Sequence, residues 1–207
     1  CQKWDIDTNK IIRAANLGYV RGNIPRPSPG VGGYCLQKDP YIFIHSASEK
    51  NYQPTLFNVA RKINNKILVS VAKTIDQFLS SFSKKDKILL AGFAFKGNPE
   101  TSDIRGSTTT SLVKRLLELG YKNIHGYDPV VPPREIRQTG ARHVPLIEKG
   151  FNGARAVIIM NNHPSFEKLK IRKLLHKARK PVLLFDTWAL FNAEEINKEE
   201  GVHYKRL

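Results

Sequence analysis

At 207 residues, with 41% hydrophobic and 25% charged residues, the chain has an ordinary globular composition and can bury one or two cores. No apolar run approaches the ~18 residues that a membrane-spanning helix needs, and two cysteines, Cys1 and Cys35, exclude a disulfide scaffold and fit a reducing cytosol. The net charge of +16 suits an anionic ligand, but runs such as Lys84-Lys85 and Lys177-Ala178-Arg179-Lys180 sit at element ends, which disfavours nucleic acid as a partner.

Taken in order, residues 1 to about 18 carry Trp4, Ile6, Ile11, Ile12, Ala15 and Leu17 at spacings that suit a helix or a helical hairpin beginning near Asp7-Thr8. The opening residues read as mid-helix sequence without an initiating Met, so a fragment of a longer chain is expected. Gly18 to Pro27 is rich in Gly and Pro and must be irregular. Next comes Pro29-Gly30-Val31-Gly32-Gly33-Tyr34-Cys35, in which glycines give a turn freedom to expose a thiol. Asp39-Pro40 has the form of a helix start, Asp as cap and Pro in the first turn. That would leave Cys35 just ahead of a helix N-terminus, where the dipole and Lys38 favour the thiolate. From Pro54 to Phe82, apolar residues from Leu56 through Val71 and Ile75 to Phe82 recur at three and four, the strongest helix pattern in the chain. Beyond Ser83 the pattern changes to strands near 87–92, 123–129, 156–160 and 181–186, a brief one near 143–145, and helices near 108–119, 135–140 and 166–178. Such alternation predicts an α/β fold: a helical region ending in a long helix (1–82), then a doubly wound, Rossmann-like parallel sheet (83–207). Ligands of such sheets bind beyond the carboxyl ends of the strands, which directs attention to Lys96, Asp103, Arg105, Asp128, Asn161, Asn162, His163, Asp186 and Thr187. No G-x-G-x-x-G occurs there, so a dinucleotide is not expected in that crevice.

The glycine stretch into Cys35 with Asp39-Pro40 resembles the active-site signature of the nucleotide-sugar 6-dehydrogenases, the UDP-glucose and UDP-N-acetylhexosamine dehydrogenase family. Gly92-Phe93-Ala94-Phe95-Lys96 with Asp103-Ile104-Arg105-Gly106-Ser107 resembles its second fingerprint. The resemblance covers the later half of such an enzyme and implies oxidation of the C6 alcohol of a UDP-hexose to a carboxylate with NAD. It assigns Cys35 as nucleophile and Asp39 as catalytic, and it gives Arg21, Gly30, Gly32, Gly33 and Lys96 to the substrate. Arg105 would reach the phosphates of NAD, and Arg21 would reach across a homodimer interface, with Arg26 as its rival. A cytoplasmic enzyme is implied, its NAD-binding domain lying outside these residues. The sequence leaves open a second reading, a non-catalytic nucleotide-sugar-binding and dimerisation module.

Overall fold

The protein is described from a computed structural model covering residues 6–19, 21 and 23–207; Trp4 of the expected first helix lies outside them. Six strands, Lys87–Ala91 (β1), Ile124–Tyr127 (β2), Arg142–His143 (β3), Ala154–Ile159 (β4), Val182–Asp186 (β5) and Val202–Arg206 (β6), form one sheet in the order β3-β2-β1-β4-β5-β6. Every neighbouring pair runs parallel. This is the strand order of the doubly wound nucleotide-binding fold, with the chain reversing direction across the sheet between β1 and β4.

The two faces are covered because successive strand residues point to opposite sides. Ile88, Leu90, Ala156 and Ile158 share one core with Val71, Ile75 and Leu79 of Thr55–Leu79 (α3), with Leu112 and Leu116 of Thr108–Glu118 (α4), and with Ile136 of Pro133–Gln138 (α5). Leu89, Ala91, Val157 and Ile159 share the other with Phe151 of Ile147–Phe151 (α6), Phe166 of Pro164–Glu167 (α7), Leu175 of Ile171–Leu175 (α8) and Ile196 of Ala193–Ile196 (α9). Fully burying each such side chain stabilises the fold by roughly 1.5–3 kcal/mol before entropy is counted.

At the amino ends of the strands, Asp86 accepts from Arg155 Nε and Arg179 Nη1, both at 3.0 Å. Arg155 also donates to the carbonyls of Arg179 and Pro181 and stacks over Phe82, 4.4 Å from the ring centre. Asp86 and Arg155 are 8% and 5% exposed, so the pair is a buried one whose remaining polar atoms are satisfied.

Two further helices precede the sheet, Thr8–Asn16 (α1) and Tyr34–Ser48 (α2). Asp7 caps α1 as expected and accepts from Arg206 at 3.0 Å, fastening α1 to β6. Several local expectations are corrected. The helix expected over 166–178 is two short ones, because the backbone turns at Lys168–Lys170. The strand β6 was not anticipated: Val202-His203-Tyr204-Lys205-Arg206 is a half-exposed edge, so its mixed polarity lacks the apolar run that marked the central strands. Among the described residues no helix is long and apolar enough to cross a membrane.

Candidate active site

Cys35 stands in the first turn of α2, exposed, rather than on a loop ahead of a helix at Asp39. The helix starts six residues earlier than Asp39-Pro40 suggests, capped by Gly33 at φ +93°, and Pro40 lies within it. A proline inside a helix cannot donate to the carbonyl four residues back. That carbonyl belongs to Leu36, and Arg61 Nη1 of α3 reaches it at 3.3 Å. The earlier start also changes the meaning of Asp39. It is no cap; it sits one helical turn after Cys35 on the same face, its carboxylate 2.8 Å from Lys38 Nζ.

The glycines ahead of Cys35 are dictated by what presses on them. A Cβ on Gly32 would lie 2.8 Å from the Gly106 carbonyl oxygen, and one on Gly33 3.1 Å from the Phe95 ring. Gly33 N–H donates to that same Gly106 carbonyl, as does Gln37 Nε2 at 2.7 Å. Gly30, at φ +105°, packs against Asn64 and Thr108. Asn64 Oδ1 accepts from Val31 N–H at 2.7 Å, and its Nδ2 donates to the Val31 carbonyl at 3.3 Å. The glycine turn is therefore wedged between α3 and the loop that follows β1. The sequence does not single out Gln37, and it reads Asn64 together with Arg61, Lys62, Asn65 and Lys66 as a solvated face rather than as ligand groups. Asn64 instead holds the glycine turn, and an Asn in a helix interior, where its side chain competes for backbone bonds, is the signal for that role.

That wedge brings the two fingerprints together. Phe95 lies against Gly33, and Lys96 Nζ hangs 5.4 Å from the centre of the Phe95 ring. Arg105 holds Asp103 in a fork, Nε and Nη2 at 2.8 to 3.1 Å, with its guanidinium 5.5 Å from the centre of the Tyr34 ring. Lys38 Nζ lies 5.6 Å from the same ring. The Arg105 hydrogen bonds hold the Asp103 carboxyl below the usual carboxylate range, while Asp103 raises Arg105, with smaller contributions from Tyr34 and Cys35. Asp39 raises Lys38, again with Tyr34 and Cys35 adding to it. Both cations thus lie within electrostatic reach of the thiol. Arg21 is exposed and, among the described residues, makes no hydrogen bond or ion pair.

Most polar residues at the carboxyl ends of the strands prove to be structural. Asp128 accepts the backbone N–H groups of Phe93, Ala94, Val130 and Val131. Asn162 Oδ1 accepts those of Gly97 and Asn98, and His163 Nε2 lies 2.7 Å from Glu100. Asp186 is buried, which pushes its carboxyl up, and it accepts from Phe191 N–H and the Tyr204 hydroxyl. Thr187 Oγ1 donates to the Ile159 carbonyl and the Trp188 indole to the Met160 carbonyl. The amides just past β1, where a pyrophosphate would be cradled, are already taken by Asp128, and the Asn161 side chain fills the space above Gly92. The crevice of this sheet does not fit a dinucleotide.

Comparison with known proteins extends both fingerprints. The family described as UDP-glucose/GDP-mannose dehydrogenase matches twice, its central domain over residues 1–66 and its UDP binding domain over residues 89–193. A UDP-N-acetyl-D-mannosamine dehydrogenase of Methanococcus maripaludis is 28% identical over 193 residues, covering 90% of this chain and 41% of that protein. A putative UDP-glucose 6-dehydrogenase of Bacillus subtilis is 34% identical over 145 residues, covering 69% of this chain and 33% of its own length. A solved UDP-D-ManNAc dehydrogenase from Pyrococcus horikoshii superposes with a TM-score of 0.79 at 26% identity, over 99% of this chain and 44% of that one. The chain spans less than half the length of these relatives. With the family's UDP binding domain aligned from Leu89 of β1 through β5, and its central domain aligned over α1, α2 and the first half of α3, the chain belongs to the UDP-glucose/GDP-mannose dehydrogenase family.

Proposed function

We propose that these residues are the substrate-binding and sulfur-bearing part of an NAD-dependent enzyme that oxidises the C6 alcohol of a UDP-hexose to a carboxylate. The observation that carries the reading is the placement of Cys35: exposed in the first turn of α2, one turn from Asp39, next to Tyr34 whose ring lies 5.5 Å from the Arg105 guanidinium, and docked through Gly33 on Phe95 of the UDP binding domain. In this reading residues 1–82 form the central, dimerising unit and residues 83–207 hold UDP, with Lys96 as a point charge for the nucleotide sugar. The hydride acceptor, NAD, belongs to a part of the enzyme outside these residues, since the crevice here does not fit it. Arg105 is the one group we assign toward its phosphates: its side chain is exposed, and Asp103 occupies Nε and Nη2 but not Nη1.

The chemistry assigned to this chain lies at sulfur. An aldehyde at C6 has no hydride to give until a nucleophile adds. Cys35 Sγ forms the bond to C6, the carbonyl electron pair moves to oxygen, and that oxygen takes a proton. Oxidation of the adduct leaves a thioester. Water then attacks its carbonyl, passing a proton toward Asp39, and the C–S bond breaks with sulfur leaving as thiolate and the sugar as carboxylate. Gly30, Gly32 and Gly33 shape the turn that presents the sulfur, and Arg21 reaches a neighbouring subunit's nucleotide sugar. A homodimer is supported by the exposed apolar residues of α2 and α3, Leu36, Ile42, Phe43, Leu56 and Ile63 among them.

The test is a screen of UDP-sugars with NAD on the intact gene product, with NADH read by absorbance and the acid by mass spectrometry. One UDP-sugar should yield two NADH per acid, and Cys35→Ala should abolish acid. Calorimetry of the 207-residue chain with UDP should show binding; no binding of UDP or any UDP-sugar overturns the assignment.

A further inference from the structure

Two residues on one face of α3 bracket the nucleophile. Asn64 grips Val31, four residues before Cys35, by both its N–H and its carbonyl, at 2.7 and 3.3 Å. Arg61, three residues earlier and so on the same side of the helix, grips the carbonyl of Leu36, the residue after Cys35, at 3.3 Å. The second contact exists because of Pro40. With no N–H at that position, the Leu36 carbonyl loses its helical donor, and a side chain from a different helix replaces it. Arg61 is itself steadied by Tyr41, its guanidinium 5.5 Å from the centre of that ring. No other element combines these features: α2 buries no residue of its own, so backbone contacts, not a packed core, fix where its first turn stands.

We propose that Arg61 and Asn64 are positioning residues for Cys35, using the gap that Pro40 opens in α2 to lock the sulfur over the UDP binding domain. The proposal rests on the reading that Cys35 is the nucleophile. A displaced sulfur spares the first oxidation, which needs no sulfur, and impairs the second, which does. Losing these contacts also lets the first turn of α2 fray, which takes from the sulfur the aligned N–H groups of an ordered helix start.

The experiment uses the intact protein with Arg61→Met, Asn64→Ala and the pair, alongside Arg61→Lys, which keeps a donor for Leu36, and Asn64→Asp, which keeps an acceptor for Val31. Three quantities are read: the rate of Cys35 alkylation by iodoacetamide, resolved by peptide mass spectrometry; NADH formed per sugar, with hydroxylamine trapping free aldehyde; and the melting temperature. In the paired variant we expect alkylation about threefold slower and NADH per sugar falling from two toward one, with aldehyde trapped. The Lys and Asp variants should recover part of both. Alkylation at the wild-type rate in the folded paired variant overturns the proposal, as does an equal loss of both oxidations in step with the melting temperature. If the wild type oxidises no UDP-sugar, the proposed function falls, while the alkylation rates still decide whether Arg61 and Asn64 position the thiol.

Discussion

The sheet and the helices that precede it are held by different physics. From β1 to β6 the chain closes two cores, one of them completed by the end of α3, and the central strands β4 and β5 are buried at every residue. In α1 and α2 the only buried residue is Asn9, and α3 buries side chains only from Val71 onward. The helical segment is held in place by directed hydrogen bonds: Asp7 with Arg206, Asn64 with Val31, Arg61 with Leu36, and Gln37 with Gly106. Burial sets stability over a broad area, whereas single bonds set geometry at a point. The lesson is that stability and site geometry can be broken separately in this molecule.

The sharpest break should come from Asp86→Ala. Removing it leaves Arg155 buried and unpaired, and losing one partner of a buried ion pair costs about 3–5 kcal/mol. Urea denaturation followed by circular dichroism should show that loss in the sheet, and a loss under 1 kcal/mol would mean that Arg155 finds solvent. Gly32→Ala should do the opposite. Its Cβ would meet the Gly106 carbonyl at 2.8 Å, a backbone atom that cannot swing aside, so the turn must lift at a local cost of roughly 1–3 kcal/mol. Hydrogen exchange at the Gly33 and Gln37 amides should accelerate while the amides of β4 keep their protection; faster exchange in β4 would show that the two regions are one cooperative unit. Ile42→Asp tests the uncovered face. Ile42 is 53% exposed, so the unfolding free energy from urea denaturation should change by no more than about 0.5 kcal/mol. Self-association by analytical ultracentrifugation should weaken at least about tenfold, since a charge in an apolar contact is left unpaired. A wild-type chain that stays monomeric refutes the dimer.

The same division explains what could be read from the sequence. The central strands and α3 were legible because burial imposes apolar runs and a helical period, which Ala156-Val157-Ile158-Ile159 and the stripe from Leu56 to Phe82 display. The edge strand β6 was hidden by half-exposed polar positions. Cys35 and the Phe95-Lys96 loop were visible as motifs, but the start of α2 was not. Asp39-Pro40 carries the local signature of a helix start, and the bond from Arg61 that tolerates Pro40 inside the helix lies 25 residues from its acceptor. The polar residues beyond the strands looked like ligand groups because topology gathers them there. Asp128 and Asn162 instead spend their oxygens on the loop backbone, which no pattern in one dimension distinguishes from a site.

The smallest expected effect concerns pH and belongs to the hydrogen-bonded region. The Arg105 fork holds the Asp103 carboxyl below its ordinary value, so the folded state favours the charged form more than the unfolded chain does. A depressed folded value means that the pair contributes fully above the unfolded carboxylate pKa of about 3.9. The contribution is lost as pH falls from there through the folded value. Because Arg105 is 68% exposed, solvent screens the pair and its contribution is small. Comparing Asp103→Asn with wild type by urea denaturation, the variant should be slightly less stable at pH 6, and the gap should close as pH drops below 4. A gap that stays constant down to pH 3 would mean that Asn fails to reproduce the Asp103 bonds to Arg105, its backbone N–H included, and that charge is not what separates the two proteins.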